Sequence, residues 1–281
     1  MTLPKPKRIR LAPVFGMDAE ARSALATLEE LGRSGKIAVA GRFMPDGQIS
    51  ARLAARGIVE EVEEADFFRF SRIVIPFAGI SPLKRKEWER KGVPLVDLTS
   101  PQVRRTQVAL GLLRLDGAQP LVIGRHSDPE SKALVEGNPG TRILEDTTDT
   151  ARLVFSPAFG AVCQSTLSPR KVSWLVQQLR LRYNDAKVTF LDTLSPAMTA
   201  RELSLEKLMV ECDRVVVVGE SGEASCEALA EAAMRRGLPS VVAGSVDELE
   251  GAELSGRTAL TAGAFTLDPA IRQIADALSA R

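Results

Sequence analysis

Three side chains that can exchange protons lie within one short segment: His126, Asp128 and Glu130. They follow Leu121–Gly124, an apolar run that predicts a buried strand ending at this point. Titratable groups gathered at a strand end are typical of acid–base catalysis and of cation binding. The same spacing also suits a plain turn, in which Asp128 caps the next helix and His126 faces solvent. An Asp-x-Glu pair alone is a weak metal signal, and we predict no metal site.

A second polar segment, Gln164, Ser165 and Thr166, ends the apolar run Ala161–Gln164 and precedes Pro169. Proline is favoured in the first turn of a helix, where its missing N–H is not needed. Hydroxyls just before such a helix are typical helix caps. The alternative is that they contact a ligand at the end of the strand.

The third polar segment, Glu220–Ser225, follows the most apolar strand predicted in the chain, Arg214–Gly219. Backbone N–H groups at the start of a helix can bind an anion. Glu220 and Glu223 place negative charge in this segment, and negative charge disfavours a phosphate. We therefore predict a polar role for this segment, without phosphate binding.

The chain has three cysteines, Cys163, Cys212 and Cys226, and no two of them form a CxxC pair. Isolated thiols of this kind are typical of a reduced cytosolic protein. Cys163 and Cys226 lie beside polar loops, whereas Cys212 precedes a strand and belongs to its other end. The three thiols are therefore not expected to converge, and we predict small buried side chains.

Charge and hydropathy exclude several functional classes. Lysine and arginine (37) nearly balance aspartate and glutamate (36), which gives a net charge of +1. This balance gives no reason to predict nucleic-acid or membrane binding, so a small-molecule ligand or substrate is the expected partner. No partner protein is indicated. The N-terminus lacks an apolar signal segment and no run approaches about 18 apolar residues, so we predict a cytoplasmic protein.

The polar segments belong to one pattern that recurs along the chain: an apolar strand, a loop rich in small polar residues, and the start of a helix. The clearest copies are RIVIPFAGISP, PLVIGRHSDPE and VVVVGESGEAS. Alternating strands and helices predict an α/β fold. We predict three small α/β domains, at residues 1–98, 99–190 and 191–281, with a first strand near Ile9–Val14. Loops at the carboxyl ends of their strands would then share one central pocket.

Nine segments occur in the same order as motifs of a known family. FAGISP and DLTSP are similar to the SAHGVSP and DATCP motifs of the LytB (IspH) family, the 4-hydroxy-3-methylbut-2-enyl diphosphate reductases. The chain resembles that family along essentially its whole length. The resemblance implies a pseudo-threefold trefoil of three α/β domains around a central site. The other seven segments are FGMDAEAR, PD (residues 45–46), IGRHSDPE, CQSTLS, DTLSPA, VGESGEAS and TAGAF.

The resemblance also implies an iron–sulfur cluster held by three cysteines. Their positions are taken here by Met17 or Asp18, by Ser100 and by Leu194. Leucine cannot bind iron, and serine is a poor substitute for a thiolate. We therefore predict a degenerate cluster site and a protein without a cofactor.

The positions that face the diphosphate in the family have changed as well. They hold Pro45, Ala78, Asp128, Glu223, Ala224, Ser225 and Phe265. Two of these are carboxylates, which would repel a diphosphate. The proton-relay carboxylate of the family is retained as Glu130. The resemblance predicts a substrate pocket lined by Gln164, Ser100, Glu223, Ser225, Ala78 and Phe265.

Three functions remain open. The first is a redeployed enzyme, naturally placed in specialised metabolism, that acts on a small polar metabolite by acid–base chemistry. Glu130 would carry the proton, and the assisting residues would be Asp128, His126, and Ser165 or Thr166. The second is a ligand-binding or regulatory pseudoenzyme, which the single histidine favours. The third is reductive dehydroxylation of an allylic diphosphate, which requires an atypical iron–sulfur cluster.

Overall fold

The computed structural model describes residues 9–252 and 256–280, and within these residues eleven strands and ten α-helices are present. The strands are β1 (Ile9–Leu11), β2 (Ile37–Val39), β3 (Arg72–Ile75), β4 (Leu95–Asp97), β5 (Gln119–Ile123), β6 (Arg142–Leu144), β7 (Ala158–Cys163), β8 (Lys187–Phe190), β9 (Arg214–Val218), β10 (Ser240–Ala243) and β11 (Thr258–Ala262). The helices are α1 (Ala19–Gly32), α2 (Gly47–Ala54), α3 (Pro82–Arg90), α4 (Pro101–Leu115), α5 (Pro129–Val135), α6 (Thr147–Ala151), α7 (Pro169–Arg182), α8 (Pro196–Met209), α9 (Ala224–Arg235) and α10 (Asp268–Ala280).

The strands form three sheets, and every pair of neighbouring strands in them is parallel. The orders are β2-β3-β4 in the first sheet, β6-β5-β7-β8 in the second and β1-β11-β9-β10 in the third. Parallel strands need crossover connections, and helices supply most of them here. The predicted α/β class is therefore observed, with the polar loops following the carboxyl ends of the strands.

The chain divides into two compact units. One contains described residues 9–18, 45–48 and 196–280, and therefore the third sheet. The other contains residues 19–44 and 49–195, and therefore the first and second sheets. In the part of the chain that the structure describes, no helix combines the length and the apolar character needed to cross a membrane.

The core of the third sheet explains why β9 is the most apolar strand. Side chains alternate between the two faces of a strand, and both faces of this strand are covered. Val215 and Val217 pack with residues of α8 and α9, whereas Val216 and Val218 pack with residues of α10. All four valines are buried, and the polar side chain of the strand, Arg214, stands at its first position.

Short polar residues cap several helices. Ser81 accepts a hydrogen bond from the backbone N–H of Lys84 at 3.2 Å, and a proline follows it in the first turn. Ser100 caps α4 in the same way. At α6 the cap is Asp146. The carboxylate of Asp146 accepts two backbone N–H groups of the helix, because it lies one residue before its first turn.

The first strand pairs differently from the predicted order. It was expected within residues 1–98, but β1 lies at the edge of the third sheet, where Ile9 is level with Thr258 and Leu11 with Leu260. A three-residue strand has too few side chains to specify its partner from sequence. The predicted boundaries at residues 98 and 190 remain predictions.

The strand β6 was not expected from the sequence. It contains only three residues, which are too few to show a clear periodicity. Val59 pairs with Ala38 through an isolated bridge that lies outside the strands.

Candidate functional site

Glu130 is buried in the first turn of α5, and its carboxyl group contacts Ser165, which follows β7. The backbone N–H of Ser165 lies 2.9 Å from Glu130 Oε1, and the hydroxyl of Ser165 lies 2.7 Å from Oε2. β5 and β7 are adjacent parallel strands, so the loops that follow them lie at one edge of the sheet. These hydrogen bonds join the polar segment that follows β5 to the polar segment that follows β7.

The environment of Glu130 favours its protonated form. Burial raises the pKa of Glu130 to about 8, and the neighbouring Asp128 carboxylate raises it as well. The two hydrogen bonds from Ser165 act in the opposite direction and do not outweigh burial. At pH 7 the side chain is therefore mostly a neutral carboxylic acid. Such a group can donate a proton to a substrate near neutral pH.

Gln164 connects Asp128 to the end of β7. Its amide nitrogen donates to Asp128 Oδ2 at 2.8 Å and to the hydroxyl of Thr166 at 2.9 Å. Its amide oxygen accepts from the backbone N–H of Arg125 and from the hydroxyl of Ser131. Asp128 also accepts from the backbone N–H of Glu130 at 2.8 Å. Gln164, Asp128, Thr166, Glu130 and Ser165 therefore form one connected region, which we call the Glu130 network.

Helix α5 approaches the end of β5 closely, and Gly124 permits this approach. A Cβ atom at Gly124 would overlap the hydroxyl of Ser131 and come within 3.4 Å of the Cβ of Gln164. Ser131 is fully buried and donates to Gln164. Because Gly124 has no side chain, Ser131 can approach closely enough to donate to Gln164 of the Glu130 network.

His126 lies apart from this network. Its ring Nε2 is 2.9 Å from Asp149 Oδ2, and its backbone N–H donates to Glu145. Among the described residues, no hydrogen bond joins His126 to Glu130 or Ser165. Its assisting role in catalysis therefore remains a prediction that this arrangement does not favour.

Ser100 and Ala78 lie in loops of the same unit. Ser100 is buried, accepts from the backbone N–H of Gln102 at 3.2 Å and donates its own N–H to the carbonyl of Phe77 at 2.9 Å. Its hydroxyl acts as the cap of α4. Ala78 is half-buried in the turn after β3, next to Gly79, whose φ is 75°. Neither side chain is a strong acid, base or nucleophile, so the role that we expect for both is to line a pocket.

Glu223, Ser225 and Phe265 belong to the other unit. The Glu223 carboxylate accepts the backbone N–H groups of Ser225 at 2.9 Å and Cys226 at 3.0 Å, and it also accepts the hydroxyl of Ser225. Ser225 Oγ in turn accepts the N–H of Ala264 at 2.7 Å. The carboxylate of Glu223 thus fills the anion position at the start of α9 with a charge of the chain itself. Phe265 follows β11 and is half-buried.

Two interacting residues at the second sheet escaped the sequence analysis. Asp149 pairs with His126 from the start of α6, and Glu145 accepts the His126 backbone N–H. The acids at 145, 146 and 149 lie around the start of α6, but nothing in their spacing points back to residue 126. Ser131 also escaped, because a buried serine inside a helix has no distinctive pattern.

The cysteines are buried as predicted and do not supply a ligand set. Cys163 Sγ lies 3.5 Å from the hydroxyl of Thr193 within an apolar core, and burial raises the pKa of its thiol to about 12. Burial also raises the pKa of Cys226. Cys212 and Cys226 lie before and after β9, at its opposite ends. Within the described residues, no group of three or more His, Cys, Asp or Glu side chains could hold a metal ion.

The comparisons with known proteins agree on one family. A family model described as "LytB protein" matches residues 9–279. A 4-hydroxy-3-methylbut-2-enyl diphosphate reductase of Pseudomonas putida (strain W619) is 30% identical over 242 residues, which cover 81% of this chain and 75% of that protein. The protein of the same name from Azotobacter vinelandii is 30% identical over 236 residues, with coverage of 80% and 75%.

Solved structures match the fold. The E-1-hydroxy-2-methyl-but-2-enyl-4-diphosphate reductase of Plasmodium falciparum superposes with a TM-score of 0.87 at 23% identity, over 95% of this chain and 86% of that one. A structure of (E)-4-hydroxy-3-methyl-but-2-enyl diphosphate reductase gives a TM-score of 0.67 at 22% identity, over 97% of this chain and 99% of that one. These matches confirm the predicted fold class.

The relatives correct one expectation. The predicted absence of a cofactor is wrong as an inference for this chain, because its relatives are reductases of a family whose members use an iron–sulfur cluster. The described residues nevertheless do not fit the ligands of such a cluster, since the three cysteine positions of the resemblance hold other side chains. We therefore assign no residue to the cluster. The match over residues 9–279 shows that this chain belongs to the LytB family.

Proposed function

We propose that this chain is an enzyme of the LytB family in which Glu130 donates a proton to an oxygen atom of its substrate. The observation that supports this proposal is the pairing of Glu130 with Ser165 in a buried position where the carboxyl group keeps its proton at pH 7. Gln164 and Asp128 hold the loop in place beside it.

Reductive removal of a hydroxyl group is the reaction class that we infer first, because the relatives are named as reductases of a hydroxy diphosphate. Such a reaction takes up two protons and two electrons, which an external reductant has to supply, and releases the oxygen as water. Hydroxide is a poor leaving group, so a proton must reach the hydroxyl oxygen as its bond to carbon breaks. A neutral Glu130 can supply that proton.

A second candidate is acid–base chemistry on a small polar or cationic metabolite. The specific observation in its favour is Glu223, whose carboxylate occupies the start of α9. A helix start that is already neutralised by its own carboxylate offers little attraction to a diphosphate. The substrate of this candidate would therefore carry less negative charge than that of the named relatives.

Turnover by protein purified without oxygen tests the proposal. The substrates to compare are 4-hydroxy-3-methylbut-2-enyl diphosphate with a chemical reductant, and a panel of small polar and cationic metabolites without one. Glu130→Gln should lower kcat by about 10²- to 10⁴-fold while the protein stays folded, because general acid catalysis contributes that much. The matched control is Glu136→Gln, which changes an exposed carboxylate at the other end of α5.

The outcomes separate the alternatives. Reduction of the diphosphate identifies the first candidate, and turnover of a metabolite without reductant identifies the second. Equal turnover by wild type and Glu130→Gln would show that Glu130 is not the proton donor. A ligand that binds tightly without any turnover would support a pseudoenzyme instead.

A further inference from the structure

A cleft of about 570 Å³ lies beside β6, the edge strand of the second sheet. Thr141 and Arg142 line it from the start of this strand, and Arg152 lines it from the residue after α6. The Glu130 network extends from β5 toward β7, whereas β6 lies on the other side of β5. The cleft is therefore a separate feature of the second sheet.

Two arginines of the cleft have guanidinium groups that are unpaired within the described residues. In residues 9–252 and 256–280, the guanidinium groups of Arg142 and Arg152 form neither a hydrogen bond nor an ion pair, and both side chains are exposed. A guanidinium group presents a planar fork of donors that matches a carboxylate or a phosphate. Two such groups at one cleft favour an anionic ligand.

Thr141 adds an independent observation. The residue is nine-tenths buried in the wall of the cleft, and within the described part of the chain its Oγ1 has no hydrogen-bond partner. A buried hydroxyl without a partner is unfavourable, so natural proteins rarely keep one. Rotation about the Cα–Cβ bond exchanges the hydroxyl with the methyl group, so a ligand oxygen in the cleft can become its partner.

The single acid among the described lining residues does not cancel this positive charge. Asp149 Oδ2 accepts the backbone N–H of Glu145 at 2.8 Å and lies 2.9 Å from Nε2 of His126. This carboxylate therefore sets one negative charge, held by donors of the protein, against the two positive charges of Arg142 and Arg152. The two arginines determine the charge that remains available to a ligand.

Part of the remaining wall is apolar. Leu153 and Val154 follow α6 along the cleft, together with Ile143 of β6. Val154 is 86% exposed, which leaves its side chain accessible to a ligand in the cleft.

We propose that this cleft binds a small amphipathic anion. Arg142, Arg152 and the hydroxyl of Thr141 hold its carboxylate or phosphate group, and Leu153 and Val154 contact its apolar chain.

Isothermal titration of the full chain with four probes tests this site. Hexanoate and hexyl phosphate carry both parts of the ligand, inorganic phosphate lacks the chain, and hexanol lacks the charge. At least one of the two amphipathic anions should bind saturably, and more tightly than hexanol and inorganic phosphate. The better of the two identifies the anionic group.

Three variants locate the binding. The double variant Arg142→Gln/Arg152→Gln should bind the anion at least about tenfold more weakly, because hydrogen bonds to charged groups are lost. Thr141→Val should weaken binding by about fivefold, because one hydrogen bond is lost at nearly constant volume. The matched control is Arg180→Gln, an exposed arginine on α7 that should leave binding unchanged.

The proposal is overturned by any of three results. The first is no saturable binding of either amphipathic anion at millimolar concentration. The second is binding of hexanol as tight as that of both anions. The third is unchanged affinity in the double arginine variant, verified as folded by circular dichroism.

Discussion

The amide nitrogen of Gln164 lies 2.8 Å from Oδ2 of Asp128, and this hydrogen bond joins the loops that follow β7 and β5. The amide oxygen of Gln164 faces the backbone N–H of Arg125 at 3.0 Å. Only one orientation of the amide group satisfies both contacts, so Gln164 is a fixed brace between two strand ends. Glu130 and Ser165 meet beside this brace.

Replacing Gln164 by leucine should destabilise the protein. The variant removes one of the donors to Asp128 and leaves the buried Ser131 hydroxyl without the amide oxygen that accepts from it. The expected loss in the free energy of unfolding is about 2–4 kcal/mol, measured by urea denaturation. The control Gln177→Leu changes an exposed glutamine of α7 and should alter it by less than about 0.5 kcal/mol. Equal effects of the two substitutions would show that the brace contributes nothing specific.

Glu130 should make stability depend on pH. Its pKa is about 8 in the folded chain and 4.5 for an unperturbed glutamate, so the folded state holds more protons between these values. Stability contributed by this group is therefore largest below about pH 4.5, decreases as pH rises, and levels off above about pH 8. Glu130→Gln removes this dependence.

The measurement is the difference in unfolding free energy between Glu130→Gln and wild type, taken from pH 5 to pH 8.5. The variant should gain stability relative to wild type across this range, by several kcal/mol in total, since one pKa unit corresponds to about 1.4 kcal/mol. Glu136→Gln provides the control and should show a flat difference. A flat difference for Glu130→Gln would mean that the carboxyl group is ionised at neutral pH.

Gly124→Ala should disrupt the approach of α5 to β5. The added methyl group would overlap Ser131, which lies in a buried and tightly hydrogen-bonded position. We expect a loss of about 1–3 kcal/mol, typical of overpacking, and a lower kcat if the Glu130 network shifts. Gly111→Ala is the matched control, because nothing lies within 4 Å of its added Cβ atom in α4.

Gly111→Ala should leave the protein as stable as wild type or make it more stable by up to about 1 kcal/mol, since alanine favours a helix. Thermal denaturation of both variants checks the pair. Similar melting temperatures for the two would contradict the close contact inferred at Gly124.

Glu223→Asn should change anion binding at α9. The variant retains an oxygen that can cap the helix but removes the negative charge that now fills the helix start. Pyrophosphate should bind the variant at least about tenfold more tightly than wild type in a titration, because a repulsive charge has gone. Glu227→Gln, one turn further along α9, is the control. Tight binding of pyrophosphate to wild type would contradict the inference that the Glu223 carboxylate repels anions from the start of α9.

Local signals in the sequence specified the repeated unit. The apolar runs at β5, β7 and β9 predicted buried strands, and Ser–Pro or Asp–Pro pairs predicted the helices that follow. These signals are reliable because strand burial and helix capping depend on residues within a few positions of one another. The resemblance to the LytB family, confirmed by the match over residues 9–279, came from the same loops.

Only the tertiary structure decided which of these segments meet. Glu130 and Ser165 are separated by 35 positions, and β1 joins the sheet of β11, at the other end of the chain. Such contacts depend on which buried surfaces fit together, and no short pattern encodes that fit. The raised pKa of Glu130 follows from burial, so it too could be derived only from the folded chain. The sequence by itself therefore determined the strands, the polar loops and the family, and the packing decided which carboxyl group keeps its proton.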